Sequence, residues 1–212
     1  MNKENYCNLY IVRHGETEWN VKNIIQGQSN SDLTEKGVEQ AKKTGDELKD
    51  INFDAIFSSD STRAHNTAKI IKLERELLIE TSHLLRERNF GNFEGKHGSE
   101  FLEAFREKLK EKETLSGEEG WNFTVADDIE TDEMIVSRFI TKLREIAVAY
   151  PNKTVLVVSH GGPIRMFLAK IGYATRQELV GGSLKNAGCI NVLSDGVDFI
   201  LKEVRGVELA KK

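Results

Sequence analysis

Residues 153–159, KTVLVVS, form the most apolar segment of this sequence and restrict its fold more than any other. The segment has the length of a strand, and its apolar residues occupy successive positions, so both faces of the strand must be covered. A strand of that kind is usually central in a sheet with helices on both sides. Directly after it come His160, two glycines and Pro163, and proline suits the first turn of a helix. The pattern predicts an α/β protein in which this strand leads through a polar tip into a helix.

The rest of the sequence repeats this alternation of strand and helix. A second apolar run ends at His14-Gly15, and a helix begins after Thr34, whose hydroxyl suits an N-cap. A later amphipathic helix is ended by Pro151. The segments predicted in this way are strands at 8–13, 54–59, 77–84 and 153–159, and helices at 33–51, 61–73, 134–150 and from 161 onward.

Near the end of the chain, residues 188–203 have the pattern of two strands joined through Asp195-Gly196, a dipeptide typical of hairpins. Repeated βα units favour a parallel sheet, and a terminal hairpin adds an antiparallel edge. The sequence therefore predicts a three-layer α/β/α sandwich with a mostly parallel sheet and one antiparallel edge. In such sheets ligands bind beyond the carboxyl ends of the strands, where His14, the Ser58-Ser59 turn and His160 are expected to lie.

The segment between residues 96 and 133 is the least regular part of the chain. It contains one charged helix, at about residues 99–113, and then a polar stretch around Trp121. At 212 residues the chain fits one compact domain better than two joined by a linker. We therefore expect a single domain over residues 1–212, in which residues 96–133 form a helical insertion or lid over the active site.

The net charge and the cysteines narrow the range of partners. A formal net charge of −4 argues against nucleic acid and anionic membranes, since both reward a basic surface. A small anionic substrate is compatible with it, because a local cluster of Arg and His can hold a phosphate. Cys7 and Cys189 form neither a C-x-x-C pair nor a disulfide framework, and no apolar stretch has the length of a membrane span. We expect a soluble protein of the reducing cytoplasm, and the sequence leaves a homodimer open.

Arg13, His14 and Gly15 come together at the end of the first strand. Arginine can bind a phosphate through two parallel hydrogen bonds, and glycine lets the backbone approach a ligand closely. The histidine between them can attack phosphorus. Taken alone, a histidine at a strand end is more often a structural residue, so this interpretation needs support from elsewhere in the chain.

Further motifs give that support, and together they resemble the histidine phosphatase superfamily, which includes phosphoglycerate mutases and many phosphatases. The resemblance covers about residues 9–193 and keeps the family's order and rough spacing. One departure is Ser61, where many relatives carry leucine. The motifs are RHGET at 13–17 with Trp19-Asn20, Gln26-Gly27, LTEKG at 33–37 with Gln40-Ala41, Ser58-Ser59-Asp60 with Arg63-Ala64 and Thr67-Ala68, Leu85-Arg86-Glu87 ahead of Gly91 and Glu94-Gly95, and VSHGG at 158–162.

The resemblance implies a phosphatase that needs neither a metal nor a cofactor. His14 would attack phosphorus as a neutral imidazole, while Glu87 would protonate the leaving alkoxide and then activate the hydrolytic water. Arg13, Arg63 and His160 would neutralise the phosphate in place of a metal ion. Further contacts are implied for Asn20 and Gly161 with the phosphate, and for Glu16, Gln26 and Gly27 elsewhere in the pocket.

The expected substrate is a small phosphorylated metabolite, and the expected reaction is hydrolysis of its phosphomonoester. Mutase members of the family carry a long insertion rich in Arg and Tyr after the glutamate loop, and residues 96–133 lack that pattern. Two alternatives stay open: a cofactor-dependent phosphoglycerate mutase, and a member that binds phosphate without turning it over. Glu87 argues against the second alternative, because a binding module needs no proton donor.

His65, His83 and His97 belong to no motif of this set. Of the three, only His97 follows the Glu94-Gly95 motif closely enough to face the pocket. Trp121 could line the substrate mouth, although packing the insertion onto the core is the more ordinary role for such an aromatic residue.

Overall fold

The computed structural model describes residues 5–210, so both ends of the expected 1–212 domain lie outside the described residues. Six strands form one sheet. They are β1 (Cys7–Arg13), β2 (Ala55–Ser59), β3 (Ile79–Ser82), β4 (Thr154–Ser159), β5 (Leu184–Ser194) and β6 (Phe199–Val207).

The strand order in this sheet is β3-β2-β4-β1-β5-β6. Strands β3, β2, β4 and β1 pair in parallel, whereas β5 pairs antiparallel with β1 and with β6. β4 is therefore central, as predicted, and its residues Val155 to Val158 are fully buried. The mostly parallel sheet with an antiparallel edge is confirmed.

Helices cover both faces of the sheet. Helices on one face contribute Phe139 and Phe167 to the core, and helices on the other contribute Ala41 and Ala68. None of the helices within residues 5–210 is long and apolar enough to cross a bilayer. The helices are α1 (Glu18–Val21), α2 (Glu35–Glu47), α3 (Thr62–Ile71), α4 (Gly98–Ala104), α5 (Arg106–Thr114), α6 (Gly117–Asn122), α7 (Asp132–Ala149) and α8 (Gly161–Lys170).

Two elements are shorter than the sequence pattern predicts. Thr34 is the N-cap of α2 and accepts the N–H of Gly37 at 2.9 Å, as expected, but the helix ends at Glu47 instead of reaching residue 51. The strand predicted at 77–84 is reduced to β3, because residues 83–85 turn into a 3-10 helix. Local turns therefore end both elements early.

The helix predicted at about 99–113 is divided into α4 and α5. Phe105 interrupts it, with φ −117° and ψ 19°, and its ring packs against Phe93 and Phe101 with centroid distances of 5.0 and 5.2 Å. Of these two partners, Phe93 lies outside the predicted helix, so a contact from another segment accompanies the interruption at Phe105.

The terminal hairpin is confirmed and is longer than predicted. Its loop spans residues 195–198, where Asp195 Oδ1 accepts the N–H groups of Val197 and Asp198 at 2.9 and 2.8 Å. Both strands extend past the predicted 188–203, because β5 is paired on both sides.

Residues 96–133 contain α4, α5 and α6, and one buried carboxylate ties this segment to the body of the protein. Asp132 accepts hydrogen bonds from Arg88 at 2.6 Å, Lys112 at 2.9 Å and Arg176 at 3.1 Å. Trp121 packs against the core between two cations, its ring centre 4.6 Å from Lys170 Nζ and 5.2 Å from Arg176 Cζ. The packing role of Trp121 agrees with these contacts, and a role for the segment as a lid stays a prediction.

Candidate active site

The carboxyl ends of β1 and β4 bring two histidines together. β1 ends at Arg13 and β4 at Ser159, which are paired in the sheet, so His14 and His160 follow at neighbouring positions. The ring centroids lie 5.1 Å apart at an interplanar angle of 63°. His14 is 3% exposed and His160 is fully buried. The expected convergence of strand tips therefore places both rings in one enclosed site.

One hydrogen bond determines which ring nitrogen of His14 carries the hydrogen. Nδ1 lies 2.7 Å from the carbonyl oxygen of Gly15, which can only accept, so Nδ1 carries the hydrogen. Burial, and then the charges of Arg63 and Arg13, hold the pKa of His14 well below its usual value of 6.5. The ring is therefore neutral at physiological pH, with the lone pair on Nε2, which is the form that can attack an electrophile.

Arg63 is only 1% exposed, although it is one of the longest charged side chains in the protein. Nη1 donates to the carbonyl of Ser29 at 2.6 Å, and Nη2 donates to the carbonyl of Gly27 at 2.7 Å. Burial lowers the pKa of Arg63 to about 10, so the guanidinium stays charged at neutral pH. Nε has no partner within residues 5–210. Two carbonyls hold the group in place while its Nε–H has no partner among the described residues.

Arg13 is arranged in a similar way. Nη1 donates to the carbonyl of Leu184, and Nε is buried without a partner among the described residues. Burial lowers the pKa of Arg13 to about 10, with the negative charge of Glu87 opposing that shift. A Cβ placed on Gly161 would lie 3.3 Å from Arg13 Nε, so the guanidinium lies against the backbone of Gly161.

His160 is the N-cap residue of α8 and has one bonded ring nitrogen. Nε2 lies 3.2 Å from Ser61 Oγ, while Nδ1 is buried without a partner among residues 5–210. Burial, then Arg63 and His14, hold its pKa well below 6.5. Of the six buried side-chain atoms without a partner in that range, three are Arg13 Nε, Arg63 Nε and His160 Nδ1. Unpaired buried polar atoms are costly, so their concentration beside His14 indicates a binding site for a polar group.

Glu87 is attached to the start of α8. Oε2 accepts the N–H of Gly162 at 3.0 Å, and Oε1 accepts the N–H of Arg88 at 2.8 Å. A Cβ at position 162 would lie 2.1 Å from Oε1, so this approach requires glycine. The carboxylate is therefore held at the same helix end that follows His160.

The loop that contains Gln26 and Gly27 holds the guanidinium of Arg63 through its backbone carbonyls. Glu94 accepts hydrogen bonds from the N–H groups of Gln28 and Ser29 at 2.8 and 2.9 Å, and from the Ser29 hydroxyl at 2.7 Å. The carbonyls of this loop are the ones that bind Arg63. Gln26 Oε1 is buried without a partner among the described residues.

Asn20 and Glu16 have partners of their own in the protein. Asn20 Oδ1 accepts from the backbone of Thr17 at 3.1 Å and lies 3.3 Å from Asn186 Nδ2. The same Nδ2 donates to the carbonyl of His14 at 3.2 Å, so Asn20 is linked to His14 through Asn186. The carboxylate of Glu16 bonds Lys36 at 2.8 Å, which lowers its pKa. A direct contact of Asn20 or Glu16 with substrate stays a prediction.

Several residues that hold the site were not singled out for this role from the sequence. Arg138 donates to the carbonyls of Arg86 and Glu87 at 2.6 and 2.9 Å, which fixes the loop that carries the carboxylate. Arg165 donates from Nε to Gly161 at 3.2 Å. Arg138 is partly buried beside Phe139 on α7, and an arginine next to the apolar positions of an amphipathic helix is the signal that could have found it, because such a charge needs internal partners.

The three remaining histidines are not part of the cluster formed by His14 and His160. His97 is exposed and is the N-cap of α4, where its Nδ1 lies 2.7 Å from Ser99 Oγ. Within residues 5–210 no group of three or more His, Cys, Asp or Glu side chains is arranged to hold a metal ion.

Comparisons with known proteins agree with this geometry. The sequence matches the histidine phosphatase superfamily (branch 1) over residues 9–205. It is 32% identical over 182 residues to the uncharacterized phosphatase PhoE of Bacillus subtilis, covering 86% of each chain. It is 34% identical over 194 residues to the metal-independent phosphoserine phosphatase of Arabidopsis thaliana, covering 87% of this chain and 75% of the relative.

A similar fold is found in the crystal structure of phosphoglycerate mutase from Bacillus anthracis. The TM-score is 0.83 at 28% identity, and the match covers 96% of this chain and 95% of the other. The chain therefore belongs to the histidine phosphatase superfamily, and the names of its relatives support a phosphatase.

Proposed function

We propose that the protein is a metal-independent phosphatase that hydrolyses small phosphomonoesters through a phosphohistidine at His14. The observation that carries this proposal is the set of unpaired nitrogens, Arg13 Nε, Arg63 Nε and His160 Nδ1, buried beside a neutral imidazole. A phosphoryl group with its negative oxygens satisfies these nitrogens, whereas an apolar ligand leaves them unpaired.

In the first step His14 Nε2 attacks phosphorus in line with the leaving group. The new P–N bond forms while the P–O bond to the leaving group breaks, and the leaving oxygen takes a proton from the carboxylic acid of Glu87. Arg13 and Arg63 stabilise the charge on the oxygens of the transferring group, because both are already fixed by backbone carbonyls.

In the second step a water molecule replaces the leaving group. Glu87, now a carboxylate, takes a proton from that water while its oxygen forms a bond to phosphorus and the P–N bond breaks. Inorganic phosphate leaves, and His14 returns to the neutral form with the hydrogen still on Nδ1. Atoms and protons balance, and Glu87 is again protonated.

In this reaction, positively charged side chains take the place that a metal ion has in other phosphatases. Two guanidiniums with pKa values of about 10 supply positive charge at neutral pH. The name of the Arabidopsis relative, a metal-independent phosphoserine phosphatase, supports the same reading.

Phosphoglycerate mutase activity is the second candidate, because the similar Bacillus anthracis structure has that name. Both reactions begin with phosphorylation of the same histidine. They differ in the acceptor, since a mutase returns the phosphoryl group to a second hydroxyl instead of passing it to water.

The test combines a rate with a trapped intermediate. With p-nitrophenyl phosphate and excess EDTA, we expect release of inorganic phosphate and an acid-labile, base-stable phosphoryl label on the protein. His14→Ala should remove both almost wholly, while the matched variant of an exposed histidine, His83→Ala, should retain them. Loss of activity in EDTA that Mg²⁺ restores would contradict the proposal. Isomerisation of a phosphoglycerate faster than its hydrolysis would favour the mutase.

A further inference from the structure

Ser61 is an N-cap serine that does not cap its helix. It immediately precedes α3, where a serine side chain ordinarily accepts an N–H from the first turn. No such bond is made, and the hydroxyl lies instead 3.2 Å from His160 Nε2. The N–H of Thr62, at the start of the helix, is bonded to Asn30 Oδ1 at 3.1 Å. The Ser61 hydroxyl therefore faces the histidine instead of the first turn of its helix.

The direction of this hydrogen bond follows from Ser59. Ser59 Oγ accepts the backbone N–H of Ser61 at 3.3 Å and lies 3.3 Å from Ser61 Oγ, to which it can donate its own hydrogen. A hydroxyl has one hydrogen to donate and can accept others. With Ser59 donating to Ser61 Oγ, the hydrogen of Ser61 is directed at Nε2 of His160.

A nitrogen that accepts a hydrogen bond in neutral imidazole is unprotonated, so the ring hydrogen of His160 must be on Nδ1. Burial holds the pKa of His160 well below 6.5, which keeps the ring neutral. Nδ1 is the ring nitrogen that is buried without a partner within residues 5–210. The tautomer set by Ser61 therefore turns this atom into a hydrogen-bond donor.

We propose that Ser61 is a positioning residue that keeps the hydrogen of His160 on Nδ1, so that this ring donates to the phosphoryl oxygen of the substrate. The inference rests on the proposed phosphatase function. It concerns a position where many relatives carry leucine, and leucine has no hydroxyl to set a tautomer. The neutral side chain of histidine in water favours the hydrogen on Nε2, so the bond reverses an intrinsic preference.

The first test reads the tautomer directly. Long-range ¹H–¹⁵N spectra of protein labelled at its five histidines distinguish a protonated from an unprotonated ring nitrogen, and His160→Gln identifies the signals. In the wild type at neutral pH we expect protonated Nδ1 and unprotonated Nε2. Ser61→Ala should move hydrogen onto Nε2, whereas Ser61→Thr, which keeps the hydroxyl, should retain the wild-type pattern.

The matched control is Ser116→Ala, because Ser116 is also an N-cap serine without a cap bond, on the exposed start of α6. This variant should leave the signals of His160 unchanged. Protonated Nε2 in the wild type, or the same tautomer in wild type and Ser61→Ala, would overturn the proposal.

The second test asks whether the tautomer matters for phosphoryl binding. Vanadate can adopt the five-coordinate geometry of the transition state, and Ser61→Ala should weaken its inhibition roughly tenfold, the scale of one lost hydrogen bond. Unchanged inhibition in a variant with the altered tautomer would contradict donation from Nδ1. The spectra need no turnover, so a wild type with the expected tautomer and no phosphatase activity would refute the proposed function while supporting the assignment to Ser61.

Discussion

The rings of His14 and His160 lie with their centroids 5.1 Å apart, buried together beside the charged guanidinium of Arg63. Neither ring can gain a proton without placing a second positive charge against the first. Burial, and then the charge of Arg63, hold the pKa of each well below 6.5 in the folded protein, whereas in the unfolded chain both titrate near that value. This difference couples the active site to the stability of the whole domain.

The first prediction concerns that coupling. Below pH 6.5 these two histidines bind protons in the unfolded chain but stay neutral in the native protein. Their contribution to the free energy of unfolding is therefore fully present above pH 6.5 and is lost as the pH falls. Each such histidine contributes a slope of up to about 1.4 kcal/mol per pH unit between pH 6.5 and 5. Denaturant unfolding should show a smaller slope in His160→Gln than in wild type.

The exposed histidine at position 83 provides the control, since His83→Gln should leave the slope unchanged. Asp132 does not interfere, because its pKa is lowered from 3.8 to about 2 and it titrates only in more acidic solution. An identical slope in wild type and His160→Gln would show that His160 is not a neutral buried group.

A second prediction addresses the anchor of residues 96–133. Asp132 is 3% exposed and is the shared ion-pair partner of Arg88, Lys112 and Arg176. Asp132→Asn leaves three poorly solvated cations without their counter-charge, so we expect a loss of roughly 3–5 kcal/mol in the free energy of unfolding. Asp127→Asn, at an exposed position, should change it little. Chemical denaturation measures both, and a loss below about 1 kcal/mol for Asp132→Asn would place the cluster in the class of weak surface pairs.

The third prediction is that Glu94 acts on phosphate binding through Arg63. Its carboxylate accepts the N–H groups of Gln28 and Ser29, and the carbonyls of Gly27 and Ser29 hold the guanidinium. In Glu94→Gln the amide NH₂ must face a backbone N–H, so the loop shifts. We expect KM to rise roughly tenfold, the scale of one lost hydrogen bond to a charged group, with a smaller change in kcat.

Glu103→Gln is the control for this experiment, because Glu103 is exposed on α4. Its KM should match the wild-type value. If Glu94→Gln also left KM unchanged, the loop at residues 27–29 would not depend on the carboxylate for its shape.

The sheet and its order of strands and helices were predictable because their signals are local. The apolar run of β4, the N-cap at Thr34 and the Asp195-Gly196 turn each act within a few residues. The break at Phe105 was not predictable in that way. It depends on contacts with Phe93, which lies outside the helical segment and whose position only the fold determines.

The same distinction applies to the active site. The motifs identified the groups that could react, since those residue types have chemistry of their own. The partners that orient them lie far along the chain: Ser61 beside His160, and Asn186 beside the carbonyl of His14. A serine or an asparagine has no pattern that reveals such a role before the strand tips are brought together.

The last prediction uses leaving-group chemistry to test Glu87 as the acid. An alkyl phosphate expels a strongly basic alkoxide that needs a proton, whereas p-nitrophenolate is stable enough to leave without one. In Glu87→Gln, single-turnover phosphorylation of His14 should slow by roughly 10² or more with the alkyl substrate and much less with p-nitrophenyl phosphate. Because Glu87 also activates the water, the variant should accumulate phosphoenzyme and show a burst of p-nitrophenolate.

The structure explains why the comparison of two substrates is needed. Glu87 accepts N–H groups from Gly162 and Arg88 through its two oxygens, and glutamine has only one oxygen to accept with, so the substitution also disturbs the start of α8. A purely structural disturbance slows both substrates by the same factor. Loss of a proton donor slows only the substrate whose leaving group needs the proton. Equal slowing without a burst would therefore assign Glu87 a structural role and require another donor.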